Sequence, residues 1–146
     1  MPAGGLYQRI LLVVDLSDDS HVIGERARSL AQACGATVSL LHVVEYVPVE
    51  PLGETLLPAV EMEEELIKRA RERLDALAQD LGLGTAVRRV ETGNTKAEIL
   101  RVALETGADL IVMGSRERHG LSILVNLTED TILHAARCDV LAVRLK

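Results

Sequence analysis

Residues 10–20 read ILLVVDLSDDS, in which five consecutive apolar residues lead into a carboxylate and then a group of serines and aspartates. A short unbroken run of Val, Ile and Leu is typical of a β-strand that is covered on both faces. Ser17 is a residue type that caps helix N-termini, and the apolar positions from Val22 to Cys34 recur mostly three and four residues apart. The stretch therefore predicts a buried strand over Ile10–Asp15 that leads into an amphipathic helix.

The same alternation of strand and helix continues along the chain. The further predicted strands are Thr37–Val44, Thr85–Glu91, Asp109–Met113 and Val140–Leu145, and the further predicted helices are Glu61–Leu81, a helix from Asn94–Thr95 to Gly107, and Leu121–Ala136. Thr95 and Glu98 have the spacing of a capping box. Thr85–Glu91 is the most polar of the predicted strands, which favours a position at a sheet edge. The order predicts an α/β fold with a parallel, doubly wound sheet, in a single domain over residues 1–146.

Composition disfavours two classes of partner. The chain has a net charge of -6 and only 1% aromatic residues, so neither a nucleic acid nor an anionic membrane is an expected partner. No apolar run approaches the roughly 18 residues that a membrane span needs, and residues 1–5 carry no signal for export. We therefore expect a cytoplasmic protein.

Motifs for metal binding and covalent catalysis are missing from the sequence. Cys34 and Cys138 form no C-x-x-C pair, and the four histidines are far apart in the chain. No G-x-S-x-G elbow is present, and Ser115 has no histidine beside it in sequence. We expect no metal site, no catalytic residues and no enzymatic activity.

The carboxyl ends of the predicted strands are where a doubly wound sheet binds ligands, which selects Asp15–Ser20, Val43–Glu45 and Met113–Gly120. The Asp15 carboxylate can accept hydrogen bonds from a base or ribose, or it can be an acid favoured by the dipole of the next helix. Gly114, predicted to follow the fourth strand, either lets the backbone approach a phosphate or is an ordinary turn glycine. The residues alone leave both pairs of alternatives open.

A response-regulator receiver is a second protein class with a similar fold and with acids after its first strand. Asp15, Asp18 and Asp19 would fit that class. A receiver also needs an acceptor aspartate at the end of the third strand, where this chain has Glu91–Thr92–Gly93. The missing aspartate disfavours this alternative.

Five segments together resemble the universal stress protein family. They are ILLVVDLSDDS (10–20), ATVSLLHVV (36–44), TGNTKAEIL (92–100), DLIVMGSRERHGLS (109–122) and CDVLAVRL (138–145). The resemblance implies an open five-stranded parallel sheet in the order 3-2-1-4-5 with helices on both faces, a Rossmann-like fold similar to the adenine nucleotide alpha-hydrolases. It also implies a homodimer through the last strand, and the apolar edge residues expected there are Val140, Leu141, Ala142 and Val143. The resemblance does not imply a downstream partner or output, so we expect a protein partner of unknown identity.

The ATP-binding branch of that family carries a motif of the form G-x-x-G-x9-G-S/T. Gly114 matches its first glycine, but Glu117 stands at the second. Leu127–Thr128, or Asn126–Leu127 in a register one residue shorter, stands where the last pair belongs. The chain is thus more similar to the universal stress protein A branch, which lacks the motif.

The resemblance therefore implies a non-enzymatic, homodimeric stress-response protein with weak or no ATP binding and no required cofactor. The alternative is a stress regulator that binds ATP or AMP, and a small adenosine-phosphate hydrolase is a more distant one. The residual nucleotide cleft would be formed by Asp15, Val43, Met113, Gly114, Arg116 and Thr128.

Overall fold

The computed structural model describes residues 5–45, 56–116 and 127–145, and the side chains of residues 56–60, 116 and 127–130 lie outside that description. Strands and helices alternate along the chain as the sequence predicts. In chain order the elements are β1 (Arg9–Val13), α1 (Ser20–Cys34), β2 (Thr37–Val44), α2 (Leu56–Asp80), β3 (Val87–Thr92), α3 (Thr95–Thr106), β4 (Leu110–Arg116), α4 (Leu127–Ala135) and β5 (Asp139–Leu145).

The strands form one parallel sheet in the order β3-β2-β1-β4-β5, which confirms the predicted topology. The polar third strand lies at an edge, as expected. Central strand β1 pairs with β2 on one side, where Ile10 is opposite Val38, and with β4 on the other, where Ile10 is opposite Leu110. The strand order reverses between β1 and β4, so their carboxyl ends flank the topological switch point.

Each face of the sheet is covered by a pair of helices. Leu12 and Leu40 lie in a core with residues of α1 and α2, whereas Leu11 and Leu41 lie in a second core with residues of α3 and α4. Because successive side chains of a strand point to opposite faces, a strand covered on both faces is apolar at every position. The unbroken apolar runs of the sequence follow from this arrangement.

Two strand ends differ from the predicted bounds. β1 ends at Val13, so Asp15 lies in the turn beyond the strand rather than at its last position. β4 continues to Arg116 because β5 pairs with it up to Leu145, so Gly114 and Ser115 lie within the strand. The prediction of a turn at Gly114 is therefore wrong.

Helix α2 begins earlier than the sequence predicts. α2 begins at Leu56 rather than Glu61 and includes Pro58, which is tolerated in a first turn because the N–H groups there have no helical partner. The described part of α4 is Leu127–Ala135, and its predicted start at Leu121 lies outside the described residues.

The N-caps of α1 and α3 lie one or two residues from their predicted positions. Asp19 rather than Ser17 is the N-cap of α1, and its side chain makes no capping hydrogen bond. Asn94 caps α3, since its side chain accepts a 3.0 Å hydrogen bond from the Ala97 N–H. The predicted capping box is wrong because Thr95 is already helical, and its hydroxyl donates instead to the Glu45 carboxylate at 3.2 Å.

This cap assignment gives a stability test. Asn94→Ala should lower the free energy of unfolding by about 1 kcal/mol, because an N–H of the first turn loses its acceptor. Thr95→Ala is the matched control and should cost less than about 0.5 kcal/mol, because its bond to Glu45 is exposed. Urea denaturation measures both variants, and a larger loss for Thr95→Ala would contradict the assignment.

Candidate functional site

The turn after β1 is the part of the switch point that the structure describes most fully. Asp15 is exposed, and its Oδ1 accepts hydrogen bonds from the Ser17 N–H at 2.9 Å and the Ser20 hydroxyl at 3.4 Å. A carboxylate bonded to the N–H two residues ahead fixes a local turn. Asp15 therefore shapes the entry into α1, whatever else it contacts.

The neighbouring residues of this turn are held by side chains from other elements. The Val14 carbonyl accepts a 2.8 Å hydrogen bond from His42 Nδ1 of β2, and the Leu16 carbonyl accepts one from the Arg73 guanidinium of α2. Leu16 itself is nearly buried and has a positive φ of 64°, a conformation that leucine rarely adopts. The sequence analysis missed His42 and Arg73. For His42 the available signal was a polar residue near the carboxyl end of the mostly buried strand β2.

Val43 and Met113 have little side-chain surface to offer a ligand. They are 8% and 7% exposed, and both belong to the core between the sheet and helices α3 and α4. Any contact that they make with a nucleotide would therefore come from their backbone atoms.

Two of the predicted cleft residues are placed only through their backbone. Arg116 is the last residue of β4, and Thr128 is the second residue of α4. Their side chains, and the whole of residues 117–126 with Glu117, lie outside the described structure.

Gly114 has a packing role that the sequence did not reveal. It lies opposite Val143 in the β4–β5 ladder, and it is not among the positive-φ residues of the described chain. A Cβ atom added there would lie 2.7 Å from Ile23 Cδ1 of α1 and 2.9 Å from Leu145 Cδ1 of β5. The missing side chain thus lets α1 and the end of β5 pack directly on β4.

This packing can be tested by substitution. Gly114→Ala should lower the free energy of unfolding by about 1–3 kcal/mol, because Ile23 and Leu145 must move to admit the methyl group. Ser115→Ala, in the same strand, is the control and should change it by less than about 0.5 kcal/mol. Thermal or urea unfolding measures both, and an unchanged stability for Gly114→Ala would argue against the packing role.

The cysteines lie near the opposite end of the sheet. Both are free thiols; Cys34 ends α1, and Cys138 immediately precedes β5. Burial raises the pKa of the Cys138 thiol, and the nearby carboxylates of Asp139 and Asp109 raise it further. A raised pKa leaves less of the nucleophilic thiolate, which is unlike a catalytic cysteine.

Two other kinds of feature, a metal cluster and a membrane-spanning helix, are absent from the described residues. No group of three or more His, Cys, Asp or Glu side chains in residues 5–45, 56–116 and 127–145 could hold a metal ion. Over the same residues, no helix is both long and apolar enough to cross a membrane.

Comparison with known proteins decides the family. Residues 6–144 match the model of the universal stress protein family. The chain belongs to that family. It is 34% identical over 141 residues to universal stress protein A homolog 2 of Coxiella burnetii, covering 96% of this chain and 97% of the relative. Homolog 1 of the same organism is 35% identical, with coverage of 96% and 98%.

Solved structures agree on the Rossmann-like fold. Universal stress protein UspA from Lactobacillus plantarum superposes with a TM-score of 0.78 at 24% identity, covering 94% of this chain and 98% of that one. A universal stress protein in complex with cAMP superposes with a TM-score of 0.63 at 19% identity, covering 97% and 98%. At these identities the likeness concerns the fold alone.

Proposed function

We propose that this universal stress protein is a cytoplasmic, non-enzymatic homodimer in the response to stress, with weak or no ATP binding. The observation that carries the proposal is the position of Gly114 inside β4. Gly114 is the one glycine that the chain shares with the ATP motif, and Ile23 and Leu145 pack against it. Its position favours a role in sheet packing over a role in a phosphate-binding turn, and no glycine stands at the other motif positions.

The chemistry of the described site also supports a non-enzymatic role. A catalytic centre needs a nucleophile or a general base that is poised to react. The Asp15 carboxylate is bonded within its own turn, and the Cys138 thiol has a raised pKa near the other end of the sheet. Neither arrangement activates a group toward substrate.

The β3 edge of the sheet carries charge. Arg89 of β3 pairs with Glu91 at 3.0 Å and with Glu105 of α3 at 3.1 Å. Arg101 of α3 pairs with Glu91 at 2.9 Å and also with Glu105. Hydrogen bonds from Arg89 and Arg101 lower the pKa of the Glu105 carboxyl, so this network stays charged at neutral pH. Charged side chains along an edge strand disfavour pairing with another chain.

The β5 edge is apolar and half-buried over Val140, Leu141 and Ala142, and it pairs with β4 alone among the described strands. Antiparallel pairing with β5 of a second copy would satisfy its open N–H and C=O groups and form a two-fold interface. Val143 is only 2% exposed within its own core, so it would join through backbone atoms. The contrast between the edges supports a dimer through β5.

The proposed dimer can be tested by introducing a charge on the β5 edge. We expect light scattering at micromolar concentration to give twice the 15.8 kDa chain mass, and Leu141→Glu to give the mass of one chain. Antiparallel pairing would place the two introduced carboxylates near each other, where they repel. Val87→Glu, at a 63% exposed position of β3, is the control and should stay dimeric.

The opposite pattern would refute this interface. A monomeric wild-type protein, or a Val87→Glu variant that dissociates while Leu141→Glu stays dimeric, would show that β5 is not the contact. Circular dichroism distinguishes dissociation from unfolding of either variant.

The incomplete glycine motif predicts weak ATP binding. Calorimetric titration with Mg-ATP should give a dissociation constant on the order of 100 μM or weaker. Charge-assisted hydrogen bonds to phosphate contribute about 1.5–3 kcal/mol each, so two lost bonds weaken binding roughly a hundredfold or more. The double variant Glu117→Gly with Leu127→Gly should restore part of the affinity. Low-micromolar binding by the wild-type protein would show that the motif is not needed.

A second candidate function is a stress regulator that binds AMP or ATP in the cleft above Gly114, which would include Asp15. The observation that favours it is that a structure of the same fold, at a TM-score of 0.63, is a universal stress protein in complex with cAMP. Nucleotide retained through purification of the wild-type protein would support this candidate over the first.

A further inference from the structure

A groove of about 380 Å³ opens between the C-terminal ends of α3 and α4, at the start of β5. Its walls are mainly apolar and include Leu100, Ala103, Leu104, Ala108, Ala136 and Cys138. Leu104 is 62% exposed, so one wall presents apolar surface to solvent. Small-molecule sites are concave, have volumes in this range and are lined mainly by apolar side chains.

The groove lies at the opposite end of the sheet from the candidate nucleotide cleft. Ala108 leads into β4 and Cys138 leads into β5, so the groove is at the amino ends of these strands. The nucleotide cleft is expected at the carboxyl ends, beyond Asp15. A ligand in the groove would therefore occupy a second and separate site.

The helix ends that border the groove satisfy their own backbone groups. The Ala108 N–H donates to the Ala103 carbonyl at 3.0 Å, and the Ala136 N–H donates to the Ile132 carbonyl at 3.0 Å. Capping bonds of this kind use the carbonyls that a helix C-terminus leaves open. Binding in the groove would therefore depend on apolar contact more than on the backbone.

The charged groups closest to the groove are cationic, although the chain has a net charge of -6. Among the described residues that line it, Arg137 is charged and no aspartate or glutamate occurs. The Arg9 guanidinium lies beside Gly107, another lining residue, because a Cβ atom added to Gly107 would be 2.8 Å from Arg9 Nη1. Neither arginine forms an ion pair with another described residue. An anionic group at this rim would meet two such cations.

Two carboxylates lie near Cys138 but bond to other groups and do not line the groove. Asp109 accepts hydrogen bonds from the N–H groups of residues 8 and 9, and Asp139 accepts one from the Tyr7 hydroxyl. Their charges lower the positive potential at the rim. We therefore expect charge to add modestly to binding that apolar contact drives.

We infer that this groove binds a small anionic amphiphile, a dispersed molecule with one apolar chain and one carboxylate. The chain covers Leu104 and the apolar walls, and the carboxylate lies at the rim beside Arg137. Burial of apolar surface supplies most of the affinity, whereas the exposed ion pair adds less and is screened by salt. Octanoate has both parts and serves as the probe.

The Cys138 thiol provides the readout because it lines the groove. In a Cys34→Ser variant Cys138 is the remaining cysteine, so mass spectrometry follows its alkylation by iodoacetamide as octanoate is added. We expect millimolar octanoate to slow alkylation by about fivefold or more. Octanol, with the same chain and no charge, should need about three times the concentration for the same effect, and octyltrimethylammonium should need more still.

Matched variants in the same background locate the site. Leu104→Ser removes apolar wall and should raise the octanoate concentration needed about tenfold, whereas Arg137→Gln removes the cation and should raise it about threefold. Leu133→Ser, at a 46% exposed position of α4 that does not line the groove, and Arg26→Gln, at an exposed position of α1, are the controls and should match the parent. Equal losses in variants and controls would overturn the inference.

Amide NMR spectra of the wild type give a result that depends on no variant. Octanoate should shift the signals of Leu104, Gly107 and Cys138 and leave that of Ser17 unchanged. Shifts confined to Ser17 and its neighbours, or equal binding of octanol and octanoate, would overturn the inference.

Two other occupants of the groove give different results. Protection of Cys138 that rises with protein concentration, without octanoate, would show that a second copy covers the groove. Sedimentation of the protein with phosphatidylglycerol vesicles would show a membrane surface as the ligand. Either result would overturn the inference of a dispersed amphiphile.

Discussion

Burial of the central strand on both faces is the constraint on which the rest of this structure depends. Leu11 and Leu12 of β1 are adjacent in sequence, face different cores and are 1% and 0% exposed. Polar side chains are excluded from such a strand because burying them without a partner is costly. Polar groups therefore collect where the strand stops, which is why Asp15, Ser17 and Ser20 lie together at the start of α1. The location of the candidate site follows from the packing of the sheet.

The same constraint explains which features the sequence could predict. Runs that must be apolar on both faces can be recognised in the sequence, so the strands and the parallel sheet were predictable. The polarity of β3 indicated its edge position, and the strand order came from the family resemblance. Gly114 was misjudged because a glycine after four apolar residues resembles a strand end. Its actual role depends on Ile23 and Leu145, which come from distant parts of the chain. His42 and Arg73 were missed for a related reason, since each acts on a backbone carbonyl that no sequence pattern marks.

The two edge strands of the sheet, β3 and β5, carry different kinds of side chain. At β3, Arg89, Arg101 and three glutamates link the edge strand to α3. Exposed ion pairs of this kind contribute little stability individually, so their clearer effect is to disfavour addition of a further strand. At β5 the side chains from Val140 to Val143 are apolar, and the charged residues Asp139 and Arg144 lie toward the two ends of the strand. The proposed two-fold contact with the same strand of a second copy would protect this edge from pairing with other chains.

Helix α1 physically connects the candidate site to the β5 edge. Its first residue, Ser20, donates a hydrogen bond to Asp15, and one turn later Ile23 packs over Gly114 beside Leu145. A shift of the turn after β1 would move α1, and Ile23 cannot move toward β4 because the space above Gly114 is already filled. The end of β5 is held in place by the same contact. The first turn of α1 therefore contacts both the candidate site, through Ser20, and the end of β5, through Ile23, and the second contact is possible because Gly114 has no side chain.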